Sequence, residues 1–481
     1  MKPIHPERPR AQRGIALGLL LLALIVVVTA FGARVYSAGA GRRDVVTIRA
    51  LAEAKRQLLA TALARQPIGV GGANNDNRPG SLPCPDLNAP DSADAGRSGL
   101  AGTVSCNGSS DTRRLGRLPS LTLGQPLLRD GSGETLWYAL VRGLDNRDDS
   151  PLNDDFIPEG GKPWFSLWLD GGRLAANAPD DPVVAVVIAP GTTLAGQARD
   201  TAAQQRSAAN YLEAATTAYG RFSNRDLQLA RFLDGPVPGA NDALLLNDRV
   251  LAIRRSELLV PVARRAAREY QQLLALWAEH RGGGRWPNPA DPASAECTES
   301  TGNATANGCA PDASRCRGRL PKSIALIDEL QSRAVYRPIG TSAADWQARL
   351  SVYRWLYRNR WEQQFFYAVG TAASHDAPAA CAASLTVHGA DLPPGAVVIG
   401  VMVGAGPARD ELQPPQRRVS ALEKSRLANY LDPLPAPDAA LNRQGWDSPP
   451  PRPDEYARPV GNDELYLLVR HDGATDWIHA D

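Results

Sequence analysis

The chain is short of lysine, with five among its 53 basic residues, so arginine carries nearly all the positive charge. It also lacks a strong net charge, since 53 basic residues against 51 acidic ones leave only +2. That balance gives no footing for nucleic-acid binding. Histidine is scarce. None of His5, His280, His375, His388, His471 and His479 stands in a metal-binding spacing such as His-Glu-x-x-His. There is no Gly-x-Ser-x-Gly elbow and no glycine-rich phosphate loop. Asp130 and Glu134 flank a glycine-rich turn, and paired carboxylates can do acid–base work. An aspartate that caps the turn and a surface glutamate account for them more simply. These absences point away from an enzyme.

What the chain does have is 43 glycines and 39 prolines, concentrated in long loops. Six cysteines, Cys84, Cys106, Cys297, Cys309, Cys316 and Cys381, lie in proline-, glycine- and asparagine-rich stretches. Cys309 and Cys316 have neither Cys-x-x-Cys spacing nor a nearby histidine, so zinc does not suit them. An even count carboxyl-terminal to a signal-like segment reads as disulfides in an oxidising compartment. Cys84 and Cys106 enclose a short loop and form the natural pair. The other four allow three pairings, of which we favour Cys297–Cys309 with Cys316–Cys381.

The signal-like segment is Ile15–Phe31, seventeen residues without a charge. A bilayer core needs roughly 20 apolar helical residues, with about 17 as the lower limit. Before it stands a leader in which Lys2, Arg8, Arg10 and Arg13 outweigh Glu7 and which ends at Gly14. After it, Ile48, Leu51, Ala52, Leu58, Leu59, Ala62 and Leu63 recur at three- and four-residue steps, the pattern of one helix face. Pro67 ends the run. Basic residues divide evenly about the segment, so charge bias does not orient it. Cysteine placement does, putting the amino end in the cytoplasm and the bulk in the periplasm. A plain signal anchor gives the same pattern, and Ser37-Ala38-Gly39-Ala40 offers a secretory cleavage site.

Signals then recur in order. Gly116-Arg-Leu-Pro119 is answered by Gly318-Arg-Leu-Pro321, and Trp137-Tyr-Ala-Leu140 by Phe366-Tyr-Ala-Val369. Val186-Val-Ile-Ala189 is answered by Val397-Val-Ile-Gly400, and Ala209-Asn-Tyr-Leu212 by Ala428-Asn-Tyr-Leu431. Across the whole series the offsets run from 202 to 229 residues. A shared order at similar offsets argues for internal duplication. A second amphipathic face from Val262 to Trp277, closed by Gly282-Gly-Gly284, opens the second copy. Each copy then reads as a helix followed by a loop-rich β region. Strands are expected over Leu136–Val141, Trp164–Leu169, Val183–Ala189 and Leu244–Ile253, and a helix over Gln197–Tyr219. Trp346, Leu350, Tyr353 and Tyr357 suit the apolar face of a core helix. The proline-rich tract Asp432–Pro459 suits an extended surface connection.

The leader ending in Gly14, with the apolar segment behind it, resembles the signal and first helix of type IV pilins and type II secretion pseudopilins. The resemblance implies cleavage by prepilin peptidase between Gly14 and Ile15 and methylation of the new amino end. Two residues depart from the pattern. Ile15 replaces the usual Phe or Met, and Leu19 replaces the usual Glu. The large minor pseudopilin of the filament tip also lacks that Glu. The run from Leu82-Pro-Cys-Pro-Asp86 through Gly116-Arg-Leu-Pro119 to Leu127–Ala139 also resembles an uncharacterised group of large pseudopilin-like envelope proteins.

The fold class this implies is α+β, a long N-terminal transmembrane and amphipathic helix followed by a pilin-like antiparallel sheet domain, duplicated. The boundaries are a leader over 1–14, a transmembrane helix over 15–33, an amphipathic continuation over 34–66, and heads over 67–256 and 257–481. The implied function is a minor pseudopilin or pilin-like component of a type II secretion or type IV pilus system, with the filament tip as one placement, on the inner membrane with its bulk in the periplasm. Its partners would be prepilin peptidase and other pilin-like subunits, and no nucleic acid. The alternative is an uncleaved, envelope-anchored binding protein. In the acidic loop 145–155, Asp145, Asp148, Asp149, Asp154 and Asp155 offer oxygens of the kind Ca²⁺ takes, and pseudopilin heads often bind calcium. The spacing is not that of an EF-hand, and a solvated loop without an ion explains it better. No other cofactor is expected.

Overall fold

A computed structural model describes residues 41–65, 78–100, 106, 111–145, 150–169, 172, 174–176, 181–239, 243–298, 308–379, 381–439, 441–446, 452, 454–459 and 461–480. Helix α1 covers residues 41–64. Thr47, Ala50, Leu51, Ala54, Leu58 and Ala62 are buried at three- and four-residue steps, a stripe that faces the core. Ile48 and Ala52, expected on that face, turn outward. Helix α2, Arg255–His280, buries Leu258, Leu259, Val262, Ala266, Tyr270, Leu273, Leu274 and Trp277. Glu257 accepts from the Arg254 amide at its start. At its end the Gly282 amide returns to the Trp277 carbonyl and the Gly284 amide to that of Ala278, both at 2.9 Å. Gly283 and Gly284 supply the positive φ this closure requires, 61° and 84°.

The two helices are joined directly. Lys55 pairs with Glu257. Arg265 donates to the Leu63 and Arg65 carbonyls at 2.7 Å, satisfying groups that the end of α1 leaves open.

Each helix packs on an antiparallel sheet. The first runs in the order β1 (Leu115–Arg117), β2 (Trp137–Leu140), β3 (Val183–Ala189) and β4 (Arg249–Arg254). Every residue of β3 is buried, as its continuous β-branched run requires. The second runs β5 (Arg317–Arg319), β6 (Phe365–Val369), β7 (Val397–Gly404), β8 (Glu464–His471) and β9 (Ala474–His479). Tyr138 sits opposite Gly116 and Val187, and Tyr367 sits opposite Gly318 and Met402. Even the edges correspond, for Asp86 bridges Arg117 and Ala290 bridges Arg319. The same strand succession thus occurs twice, with β9 added to the second sheet. Alternation along β6 divides the second lobe's core. Phe365, Tyr367 and Val369 face the α2 side, while Phe366 and Ala368 pack with Tyr430 and Leu431.

The expected long transmembrane helix is corrected. Among the described residues, no helix is long and apolar enough to cross a membrane. The described part of α1, residues 41–64, carries Arg42, Arg43, Asp44, Arg49 and Arg56, charges that hydrocarbon would not accept. The stretch Ile15–Phe31, with Gly14 and Ile15, lies outside the described residues. The expected pilin-like sheet domain is corrected too. The fold is mixed α+β with several small sheets, and Ser166–Leu169 with Arg231–Asp234 and Thr386–His388 with Glu455–Ala457 pair in parallel.

Three local expectations also change. The helix read over Gln197–Tyr219 is a short helix, Ala202–Arg206, a turn of 3₁₀ helix and a strand from Ala214. Side-chain bonds to the backbone from Arg199 and Asn210 hold that chain in a loop. Leu244–Ile253 divides into Leu244–Leu246 and β4, separated by Asn247 and Asp248. The aromatic helix breaks between Ala343–Ser351 and Arg354–Arg358, yet Trp346, Leu350 and Tyr353 are buried core residues.

All six cysteines are bridged, Cys84 to Cys106, Cys297 to Cys309 and Cys316 to Cys381. Cys84 and Cys106 are 22 residues apart and buried in the first core. Replacing both by serine should cost about 3 kcal/mol through the unfolded chain's added freedom. Urea denaturation of the double variant measures it.

Candidate functional site, a repeated arginine–tyrosine stack beside an open cavity

The segment after β3 and the segment after β7 build the same cluster of side chains, 219 positions apart. Arg199 lies 4.2 Å from the Tyr211 ring centre, and Arg418 lies 4.3 Å from that of Tyr430. Trp137 contacts Tyr211 at 5.2 Å between ring centres, and Phe366 contacts Tyr430 at 5.4 Å. Arg199 donates to the Asn210 carbonyl and to Gln197 Oε1. Arg418 donates to the Asn429 carbonyl and to Gln416 Oε1. Thr201 with Gln204, and Ser420 with Glu423, form matching caps on the short helices between. Desolvated cation–π stacks of this kind contribute about 2 kcal/mol each.

A pair of acids extends each cluster. The Glu213 amide donates to Asp248 at 3.0 Å, and the Asp432 amide donates to Asp463 at 2.7 Å. Gln197 and Gln416 complete the links by donating to Glu213 and Asp432. Burial pushes the Asp248 carboxyl well above the usual range, and the neighbouring Glu213 adds to the rise. Burial and the charge of Asp432 hold Asp463 up at about 7. These groups bind backbone and one another, an arrangement that fixes a loop to its sheet. Of the cluster, the sequence showed the repeated Ala-Asn-Tyr-Leu and the repeated segments of Trp137 and Phe366. The Gln-x-Arg twelve positions before each tyrosine was the signal passed over.

Beside Trp137 the first lobe is open. A cavity of about 410 Å³ is lined by Asp86, Asn88, Arg117, Trp137, Arg206 and Arg225, among others. A second hollow of about 670 Å³ lies beyond Asp86 and Arg117, where Glu134 pairs with Arg199. At the matching place in the second lobe, Gly318, Phe366, Leu427, Asn442 and Tyr456 leave about 20 Å³. Arg117 is engaged, pairing with Asp86 at 2.9 Å and donating to the Asn88 carbonyl.

The calcium candidates are dispersed. Asp148 and Asp149, like Gly14 and Ile15, lie outside the described residues. Asp145 is buried beside the Cys84–Cys106 bridge, whose sulfurs are committed to each other. Among the described residues, Asp145, Asp154 and Asp155 do not gather at ligand spacing. Asp155 instead joins the lobes. It pairs with Arg418 at 3.1 Å and accepts from Gln364 at 2.8 Å. Next to it the Leu152 amide donates to the Asn359 side chain, and Asn153 donates to the Asn359 carbonyl. Asp130 caps its turn, accepting from the Ser132, Glu134 and Gly191 amides.

No protein family, curated protein or solved structure matches this chain. Its function therefore rests on its own residues.

Arg418 has a side chain 2% exposed and reaches across to Asp155, whereas the Arg199 partner Glu134 is 28% exposed. Arg418→Met should therefore cost about 3 kcal/mol and Arg199→Met about half that, as urea titrations would show. A pH effect follows from Asp154. Burial, with Asp155 and Glu464, holds it up at about 7 against the opposing pull of Arg255. The folded chain then binds more protons than the unfolded one between about pH 4 and 7, so stability falls as pH rises through that window. Asp154→Asn should flatten the fall, gaining on the order of 2 kcal/mol over the parent at pH 8 and little at pH 4. Thermal melts across pH measure it.

Proposed function

We propose that this chain is a non-enzymatic structural subunit of the bacterial envelope, a minor pseudopilin or minor pilin of a type II secretion or type IV pilus system. It is held at the inner membrane with both lobes in the periplasm. The observation that carries this reading is the doubled lobe. Two sheet-and-helix units are locked into one body by Lys55–Glu257, by Arg265 on the end of α1 and by Asp155–Arg418. Such a head is broad for stacking beneath further subunits and suits the end of a filament. Three disulfides agree with an oxidising compartment. The basic leader ending in Gly14 supplies the processing site.

The open cavity of the first lobe favours a second reading, an uncleaved envelope-anchored binding protein. Mass spectrometry of the membrane-extracted protein separates the two. A methylated amino end at Ile15 is the expected result. An intact Met1 transfers the assignment to the second reading, and an end between Ala38 and Gly41 overturns both.

A further inference from the structure

Each main sheet has two outer edges, and a bare edge presents a row of unpaired N–H and C=O groups to any other strand. Three of these edges are filled. Asp86 exchanges backbone bonds with Arg117 on β1, and Ala290 does so with Arg319 on β5. Along β4 the groups are met by side chains. Asp234 accepts from the Val250 amide, Lys55 donates to the Ala252 carbonyl and Glu257 accepts from the Arg254 amide, each at 2.8 Å. The fourth edge is β9, whose outer side no described strand covers.

The register decides which groups β9 presents. Asp472 and Gly473, with φ of 50° and 81°, form the two-residue turn that closes β8 on β9. Just past the strand, the Ala480 amide donates to the Leu465 carbonyl at 2.9 Å. Bonded positions alternate in an antiparallel pair, so Ala474, Asp476 and Ile478 bond β8. Thr475, Trp477 and His479 point their backbone groups away from it. Among the described residues, no hydrogen bond reaches the backbone of Thr475 or Trp477. Thr475 and Asp476 are exposed, while the Trp477 ring is held edge-to-face on Trp286 at 5.8 Å between centres.

Such an edge specifies its occupant as an extended backbone with unpaired groups of its own. A disordered segment would first have to be ordered. In a second copy of this chain, β9 is already extended, bare on the same side and of matching length. Charge selects the register. A two-fold axis at Asp476 would set that carboxylate directly against its own copy, which is unfavourable. An axis at Trp477 sets Asp476 opposite Ile478 instead.

We propose that two copies of this chain pair through β9, antiparallel about a two-fold axis at Trp477, so that the second lobes share one continuous sheet. The two Trp477 residues exchange a pair of backbone hydrogen bonds, and Thr475 lies opposite His479 of the second copy. The inference goes beyond the assembly reading and does not rest on it.

The test uses the full chain with Thr475→Cys, His479→Cys, or both. All six native cysteines are bridged, so the added ones meet only each other. Under mild oxidation the double variant should form a covalent dimer, seen on a non-reducing gel, at least about tenfold faster than either single variant, whose thiols lie too far from their own copies. Thr475→Pro removes an outward amide and leaves the bonds to β8 in place. It should weaken the dimer at least about tenfold by sedimentation equilibrium while the melting temperature holds. If that variant melts early, the cysteine pair still decides. Single variants that cross-link as fast as the double, a dimer indifferent to Thr475→Pro, or a chain still monomeric at about 0.1 mM would each overturn the proposal. Processing at Ile15 is read independently, so failure here leaves the assembly reading standing.

Discussion

Arg418 is the point on which the structure turns. Its guanidinium stacks on Tyr430, holds the Gly406 and Tyr430 carbonyls, and reaches Asp155 in the other lobe. A buried guanidinium is stable only with its donors placed, and here the placements fix three separate pieces of chain at once. The loop after β7 is tied to its sheet, the acidic loop is drawn in, and the lobes are held together. A chain that spends arginine freely and lysine sparingly suits such work. A planar fork binds several carbonyls together, which an ammonium on a flexible stem does less well.

Much of this was legible beforehand. The mixed α+β class followed from alternating helical and β-branched patterns, and the strand over Val183–Ala189 from its unbroken β-branched run. Six cysteines beyond a signal-like segment read as disulfides. The amphipathic stripe of α2 and the burial of Trp346, Leu350 and Tyr353 followed from spacing. The failures have physical causes. A helical pattern continuous with an apolar run suggested one long rod across the membrane, but the helix that the described residues show, 41–64, carries charges along its length and is not apolar enough to cross a bilayer. The helix expected over Gln197–Tyr219 gave way because Arg199 and Asn210 bond the backbone in ways that periodicity does not register.

The candidate site was harder to see. Asp155 looked like a calcium ligand because carboxylates cluster around it in sequence, and the structure engages it with an arginine more than two hundred residues away. The cavity beside Trp137 is assembled from five separated stretches, and the motifs three of them carry say nothing of their meeting. The second lobe lines the matching place with Leu427 and Asn442 while keeping Arg319 where the first has Arg117. A repeated fold offers this advantage to the reader. The copy that has closed its cavity is an internal control for the copy that has not.

The contact between Arg265 and the last carbonyls of α1 has a mechanical consequence. Those carbonyls are gripped from the middle of α2, so tension applied along α1 passes straight into the helix of the other lobe. The load path is short and stiff. A pull on α1 would move both halves together as one piece.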